Sequence, residues 1–295
     1  MKTQSVRAII QGMMPQFTAS ERKVANVILA DYPFTALEGI RELAERTGVS
    51  APSITRFVAK IGASGFGDFQ RQLIGELKEG RQSPLDLQER RIEVGSSQFL
   101  TAYCERLSGV LAEMARTASQ GQFDAICSLV ADPSRNIFLI GGRVSDSIAG
   151  FLSIHLRQVR GRIHHIPGNP ELQPEYLLRM RRKDVVVFFD FRRYQRSLQA
   201  LAELILAERQ ATIILITDKW ISPIARSSAH IVALPIEAGT AWDTVTAAVA
   251  FVEALIVKVS EADWAASHKR IRAWDRIRFG SDAGGPTPAE RSEDP

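Results

Sequence analysis

The stretch Ile40–Gly62, IRELAERTGVSAPSITRFVAKIG, constrains this chain more than any other. Ile40, Leu43 and Ala44 recur on one helical face. Gly48 supplies the left-handed residue that ends a helix. Val49 is an apolar plug, and Ser50 is a natural N-cap. Pro52 then falls in the first turn of a second helix, where its missing N–H costs nothing. Ile54, Val58 and Ile61 give that second helix its buried face, which leaves Ser53, Thr55, Arg56 and Lys60 pointing elsewhere. The pattern predicts a helix-turn-helix whose second helix has the build of a DNA recognition helix. The candidate DNA contacts are Ser50, Ser53, Thr55, Arg56 and Lys60. The short hydroxyls suit base edges or phosphate, Arg56 reaches guanine or phosphate, and Lys60 suits phosphate. The competing readings are a helical hairpin inside a core, a protein-binding winged helix, and an Arg56 paired with Glu45.

The flanking sequence extends the helical pattern. Thr18 with Glu21 three residues on is a capping-box signature, and Val24, Ala25, Ile28 and Leu29 form the stripe that follows. After the second helix of the motif, Gly62–Gly67 is a glycine-rich turn. It either offers N–H groups to phosphate or simply joins helices. The expected organisation is a helix-turn-helix domain over 1–78 and a linker with a connecting helix over 79–122. The linker is polar and carries Pro84, and Gln98–Ala118 shows helical spacing.

From Phe123 the pattern changes. Short apolar runs alternate with helical ones. The strand candidates are Ile137–Ile140, Ile163–Ile166, Val185–Asp190, Ile213–Thr217 and Ile231–Leu234. Their apolarity is continuous rather than alternating, which means strands buried on both faces of a parallel sheet covered by helices. This predicts a three-layer α/β domain over 123–260. A basic, Trp-containing segment starts at 261. Residues 281–295, rich in Gly, Pro and acids, are expected to be disordered.

Composition narrows the classes. A net charge of +4 and a pI of about 9.2 suit a DNA binder without proving one. They are too modest for a nonspecific, nucleoid-type binder, which rests on dense positive charge. The two cysteines, Cys104 and Cys127, form no CxxC or Cys/His cluster, so neither zinc nor a disulfide framework is expected, and no cofactor is implied. They are read as packing residues. His164 and His165 are adjacent on one strand, point to opposite faces and cannot chelate one metal together. No apolar run reaches bilayer length and no signal-peptide core opens the chain, so no membrane partner and a cytoplasmic location are expected.

The chain resembles the RpiR/MurR family of bacterial regulators, which join an N-terminal helix-turn-helix to a SIS (sugar isomerase) domain. The motifs that carry the resemblance are Leu43-Ala44, Gly48-Val49-Ser50, Thr55-Arg56-Phe57, Lys60-Ile61-Gly62 and Gly65-Phe66 with Phe69. In the second half, Gly141…Ser145 resembles the SIS phosphate loop, and Thr217-Asp218 with Ser222-Pro223-Ile224-Ala225 resembles the loop after the fourth strand. The resemblance implies a five-stranded parallel sheet of flavodoxin-type order, 2-1-3-4-5. It also implies a regulator that binds double-stranded operator DNA and answers to a carbohydrate derivative.

In that order the first and third strands flank the topological switch point, where ligands bind. The glycine turn at Gly141, Gly142 and Ser145 leads into a helix N-terminus that favours anions. Two loops depart from the family pattern. Arg143 stands where a small residue is usual, and Asp190-Phe191-Arg192-Arg193-Tyr194 has no small hydroxyl pair. The candidate effector residues are therefore Gly141, Gly142, Arg143, Ser145, Asp190, Arg192, Arg193, Tyr194, Thr217 and Ser222. Guanidinium forks match carboxylates as well as phosphates, so the expected effector is a small anionic metabolite: a sugar phosphate, a sugar acid or another carboxylate. The arginines could instead fold back onto acids such as Asp146, Asp190 or Asp218. Asp243 is read as an N-cap in preference to a ligand residue. The wide apolar arcs of Gln98–Ala118 and of the helix from about Thr244 to Val259 predict a homodimer or homotetramer. The alternative function is a SIS-fold sugar-phosphate isomerase with Glu237 or a histidine as base, but no recognisable catalytic motif surrounds them. No catalytic residue is assigned.

Overall fold

The structure is a computed structural model that describes residues 5–30, 32, 37, 39–79 and 98–280. Residues 80–97 of the linker expected at 79–122 lie outside the described residues, as does the acidic tail from 281.

Five helices form the N-terminal part: α1 (Val6–Met13), α2 (Ala19–Ala30), α3 (Ile40–Thr47), α4 (Ala51–Lys60) and α5 (Phe66–Glu79). The capping box forms as the spacing predicts. The Thr18 N–H donates to Glu21 Oε2 at 2.7 Å, and Thr18 Oγ1 accepts the Glu21 N–H at 3.3 Å. The turn between α3 and α4 is set by Gly48, whose φ of 62° is left-handed. Its N–H and that of Val49 return to carbonyls of the last turn of α3. Leu43, Ile54 and Val58 are fully buried, and so is Phe57, whose ring lies 5.2 Å from that of Phe17. Phe57 was not among the residues assigned to the buried face of α4, and it widens that face beyond the Ile54–Val58–Ile61 stripe.

Two helices precede the sheet, α6 (Phe99–Thr117) and α7 (Gln120–Ala131). The strands are β1 (Ile137–Gly141), β2 (Ile163–His165), β3 (Val185–Phe189), β4 (Thr212–Thr217) and β5 (His230–Ala233). All pairs are parallel, in the order β2-β1-β3-β4-β5. Every residue of β1 and β3 is buried, as continuous apolarity requires of strands covered on both faces. Between and after the strands run α8 (Asp146–Val159), α9 (Gln173–Arg179), α10 (Arg196–Arg209), α11 (Thr246–Ala262) and α12 (Trp264–Phe279). The stretch expected as a helix at Ser222–Ser227 is a single 3₁₀ run, Pro223–Ser227.

The strand period of two sorts the core into layers. Ile137, Leu139, Val185, Val187, Phe189, Ile214 and Ile216 pack with α7, α8 and α11, and Phe138, Ile140, Val186, Phe188, Ile213 and Leu215 pack toward α9 and α10. At the amino ends of the strands, the buried Asp184 carboxylate accepts from the Asn136 N–H, the Asn136 side chain and the Arg181 N–H at 2.9–3.0 Å. That ties the ends of β1 and β3 together and leaves the opposite, carboxyl edge to the loops of the candidate site.

Candidate functional sites

The exposed edge of α4 carries the residues expected at DNA. Ser50, Thr55 and Arg56 are exposed and Ser53 is partly so. Ser50 stands at the N-cap position, but its hydroxyl meets Ser53 Oγ at 3.0 Å and does not close onto the helix backbone. Arg56 Nη2 donates to the same Ser53 Oγ at 3.0 Å, so it is not paired with Glu45. These contacts are local and solvent-facing, and a ligand can replace them. Lys60 differs from its expected role. Its ammonium donates to the Gln16 carbonyl at 3.0 Å and to Glu21 Oε2 at 2.8 Å, and it lies over the Phe17 ring. It fastens α4 to the start of α2. In the Gly62–Gly67 turn the Ser64 N–H donates to Asp68 Oδ2 at 2.9 Å, so that donor is committed to starting α5.

The second candidate site lies at the carboxyl ends of β1 and β3, at the switch point of the sheet. A crevice of about 300 Å³ is lined by Gly142, Arg143, Val144 and Ser145 from the first loop, by Asp190–Arg193 and Gln195 from the third, and by Ile236 and residues 241–245 ahead of α11. A larger hollow of about 420 Å³ opens near β5, between α1 and the C-terminal end of α6, and shares Ile236 with the crevice.

Of the expected effector residues, Gly141, Tyr194, Thr217 and Ser222 do not line the crevice, and the hydroxyls of Ser145, Thr217 and Ser222 are committed to the protein. Ser145 Oγ donates to the Phe189 carbonyl at 2.6 Å and accepts the Gly142 N–H at 2.8 Å, which clamps the first loop to β3. Thr217 Oγ1 donates to the Asp190 carbonyl at 2.6 Å and accepts the Ser222 N–H. Ser222 Oγ donates to Asp190 Oδ2 and accepts the Ile224 N–H. Gly141 is required by proximity: a Cβ there would sit 2.4 Å from the Asp146 nitrogen. Its own N–H donates to Asp146 Oδ1 at 3.0 Å. The small residues of these loops therefore hold the loops in place, and the exposed charged groups left to meet a ligand are Arg143 and Arg193.

Asp218, fully buried, organises the loop after β3. It accepts from the Arg192 N–H at 2.5 Å, the Tyr194 hydroxyl at 2.6 Å and the Trp220 N–H at 3.0 Å. Burial pushes its carboxyl up to about 6, against the pull of these donors. The same cause pushes Asp190 up to about 7. Tyr194 is thus held by Asp218 and is a scaffold of the loop. Its neighbour Arg193 has a φ of 71°, is exposed, and lines the crevice with the exposed Arg143.

Arg192 is buried, with its side chain 2% exposed, and its guanidinium lies 3.9 Å over the Trp220 ring. It does fold onto acids, but not the ones expected from the sequence. Its partners are Glu237 and Asp243, each at 3.2 Å. The Glu237 contact is a hydrogen bond from Nη2, whereas Nη1 meets Asp243 as an ion pair only, and neither Nη1 nor Nε has a hydrogen-bond partner. Asp243 is correspondingly not an N-cap. The helix α11 begins at Thr246, and Thr244 Oγ1 accepts the Thr246 N–H at 3.2 Å.

The other candidates lie elsewhere. His165 Nε2 meets Asp146 Oδ1 at 2.9 Å, and His164 stacks on Phe138. Glu237, the proposed base of the isomerase reading, is paired with both Arg192 and Lys219. Cys127 is buried and Cys104 is exposed, so only one of the two packs as expected. Among the described residues no group of His, Cys, Asp or Glu could hold a metal ion, and no helix is long and apolar enough to cross a membrane.

Residues 4–80 match the helix-turn-helix domain of the rpiR family, and residues 132–258 match the SIS domain. Among solved structures, the sugar isomerase domain of an RpiR transcription factor from Sphaerobacter thermophilus is similar at 20% identity and a TM-score of 0.55, over 61% of this chain and 99% of that one. The Vibrio vulnificus NanR protein complexed with ManNAc-6P is similar at 14% identity and a TM-score of 0.53, over 95% of this chain and 100% of that one. A protein of Escherichia coli CFT073, solved in complex with a sugar phosphate, is similar at 15% identity and a TM-score of 0.50, over 60% of this chain and 98% of that one.

Proposed function

Because this chain belongs to the RpiR type of regulators, with that family's helix-turn-helix ahead of a SIS domain, we propose that it controls transcription by binding an operator through α4 while its SIS domain senses a small anionic metabolite. The observation that carries the reading is the pairing of a solvent-facing Thr55–Arg56 edge on α4 with a switch-point crevice whose exposed charged side chains, Arg143 and Arg193, are guanidiniums. The two solved relatives that hold sugar phosphates support a carbohydrate derivative as effector. Ser145, Thr217 and Ser222 spend their hydroxyls on the protein, which favours recognition by Arg143 and Arg193 over recognition by serines. A sugar acid or other carboxylate then fits as well as a sugar phosphate. The proposed division of labour follows the expected boundaries: DNA contact within 1–78, connection over 79–122, sensing and self-association over 123–260.

Two symmetric recognition helices would read half-sites about one helical turn apart. A mobility-shift titration on DNA flanking its own gene, at stated salt, tests the DNA half of the reading; a shift no stronger than on random DNA refutes it. A thermal-shift screen of sugar phosphates, sugar acids and dicarboxylates tests the effector half. A response to neutral sugars alone, or one unchanged by combined Arg143→Ala and Arg193→Ala, overturns it.

A further inference from the structure

The segment Ile236–Val245 forms one wall of the crevice, is closed on itself by the Thr244 N–H donating to the Ile236 carbonyl at 2.8 Å, and is held by Lys219 at Glu237 as well as by two arginines. Arg192 grips it at Glu237 and again at Asp243, both at 3.2 Å. From the other side, Arg106 of α6 donates to the carbonyls of Ala238 and Gly239, at 3.4 and 3.1 Å. Gly239 between these grips has a φ of 68°, in the left-handed region. The helix α6 is the one that leads back toward the DNA-binding part. The segment also runs directly into α11, which packs on α6 and α7.

Asp243 is the informative residue. It lines the crevice together with Arg192 and sits where a ligand carboxylate or phosphate oxygen would meet that guanidinium. The pairing leaves Arg192 Nε and Nη1 buried without a hydrogen bond, since Nη1 meets Asp243 as an ion pair only. Burial raises the Asp243 carboxyl above its ordinary range even with Arg192 beside it, so the ion pair is imperfectly satisfied. An incoming oxyanion with several acceptor oxygens can bridge guanidinium nitrogens that a single carboxylate oxygen leaves unused.

Building on the reading of the crevice as an anion site, we propose that Asp243 is an internal competitor that occupies the effector's seat on Arg192, and that an anion binds by displacing it. Displacement frees the Ile236–Val245 strap at its Asp243 end. The grips at Glu237 and by Arg106 remain, and Arg106 carries the change to α6. Asp243 sets the threshold for the effector: a neutral ligand cannot remove it, and a weakly paired anion does so poorly.

The test titrates inorganic phosphate into the full chain by calorimetry and follows hydrogen exchange of the strap. Asp243→Asn keeps the shape and removes the competing charge. It is expected to tighten phosphate binding by about three- to tenfold. Strap amides should exchange faster in the unliganded variant, and in the wild type once phosphate is added. Asp243→Ser gives the same direction should the Asn variant melt early. Arg106→Ala should keep the phosphate affinity and lose the exchange response of α6. Equal or weaker phosphate binding by both Asp243 variants overturns the competitor while leaving the anion site standing. Absence of phosphate binding in wild type and variants alike overturns the anion site itself, and the competitor with it.

Discussion

The buried Asp190 carboxyl should make this protein lose stability as pH rises through the range where most carboxylates add it. Asp190 is 2% exposed, and its burial pushes it up to about 7 from an ordinary 3.8. The hydrogen bond from Ser222 pulls it down and Asp218 pushes it up, but desolvation is the largest cause. The folded state therefore holds this proton more tightly than the unfolded chain does. Its stabilising effect is complete below the unfolded value and is lost as pH rises through the folded one. A difference of roughly 3 pH units corresponds to about 4 kcal/mol at full ionisation. Asp190→Asn mimics the neutral acid and keeps an acceptor oxygen for the Gln195 N–H, one of the donors that hold the carboxylate. Relative to wild type, its stability should rise by roughly 2–4 kcal/mol between about pH 4 and about pH 8. All four tryptophans, Trp220, Trp242, Trp264 and Trp274, lie in the second half of the chain, so urea unfolding followed by tryptophan fluorescence reports chiefly on that half. Parallel pH profiles for wild type and variant would refute the assignment of the raised carboxyl.

Arg56→Ala should weaken operator binding by about 1–3 kcal/mol in a mobility shift while leaving nonspecific binding nearly unchanged, as expected of a solvent-facing arginine in the middle of α4 that reads a base edge. Gly141→Ala places a methyl 2.4 Å from the Asp146 nitrogen, so the first loop must shift, at a cost of about 2 kcal/mol or more in the same urea assay. A thiol reagent should label Cys104 rapidly in the native protein and Cys127 only on unfolding, since Cys127 is buried and its thiol is pushed up to about 11. Light scattering at micromolar concentration should show a dimer or tetramer; a monomer alone contradicts the assembly expected from α6 and α11.

What could be read in the residues themselves was local. Gly48 ends α3 because only a residue without Cβ enters the left-handed region freely, and Pro52, two residues after Ser50, fits the first turn of a helix but not its interior. The Thr18–Glu21 box closes within one turn. The apolar runs of β1, β3 and β4 declare strands buried on both faces, whereas β2 and β5 are half-buried because they are the edges of the sheet, and with the family motifs the five runs imply the order that the sheet adopts. The crevice could be placed for the same reason, since it follows from which strands are adjacent.

The partners of the charged and hydroxyl groups were decided only in three dimensions. Lys60 reads as an exposed cation at the end of a recognition helix, yet it closes on Glu21, 39 residues away. Ser145, Thr217 and Ser222 read as ligand hydroxyls, yet each is within reach of a carbonyl or carboxylate of the third loop. Asp243 precedes a helix and reads as its cap, but the buried Arg192 claims it across the crevice. A helical period or a turn motif specifies the conformation of its own few residues. Which opposite charge or acceptor a side chain meets depends on where the fold brings distant loops, and burial there makes pairing obligatory. The sequence alone determines the domains and the position of the crevice, while tertiary proximity decides which of its side chains are spent on the protein and which face a ligand.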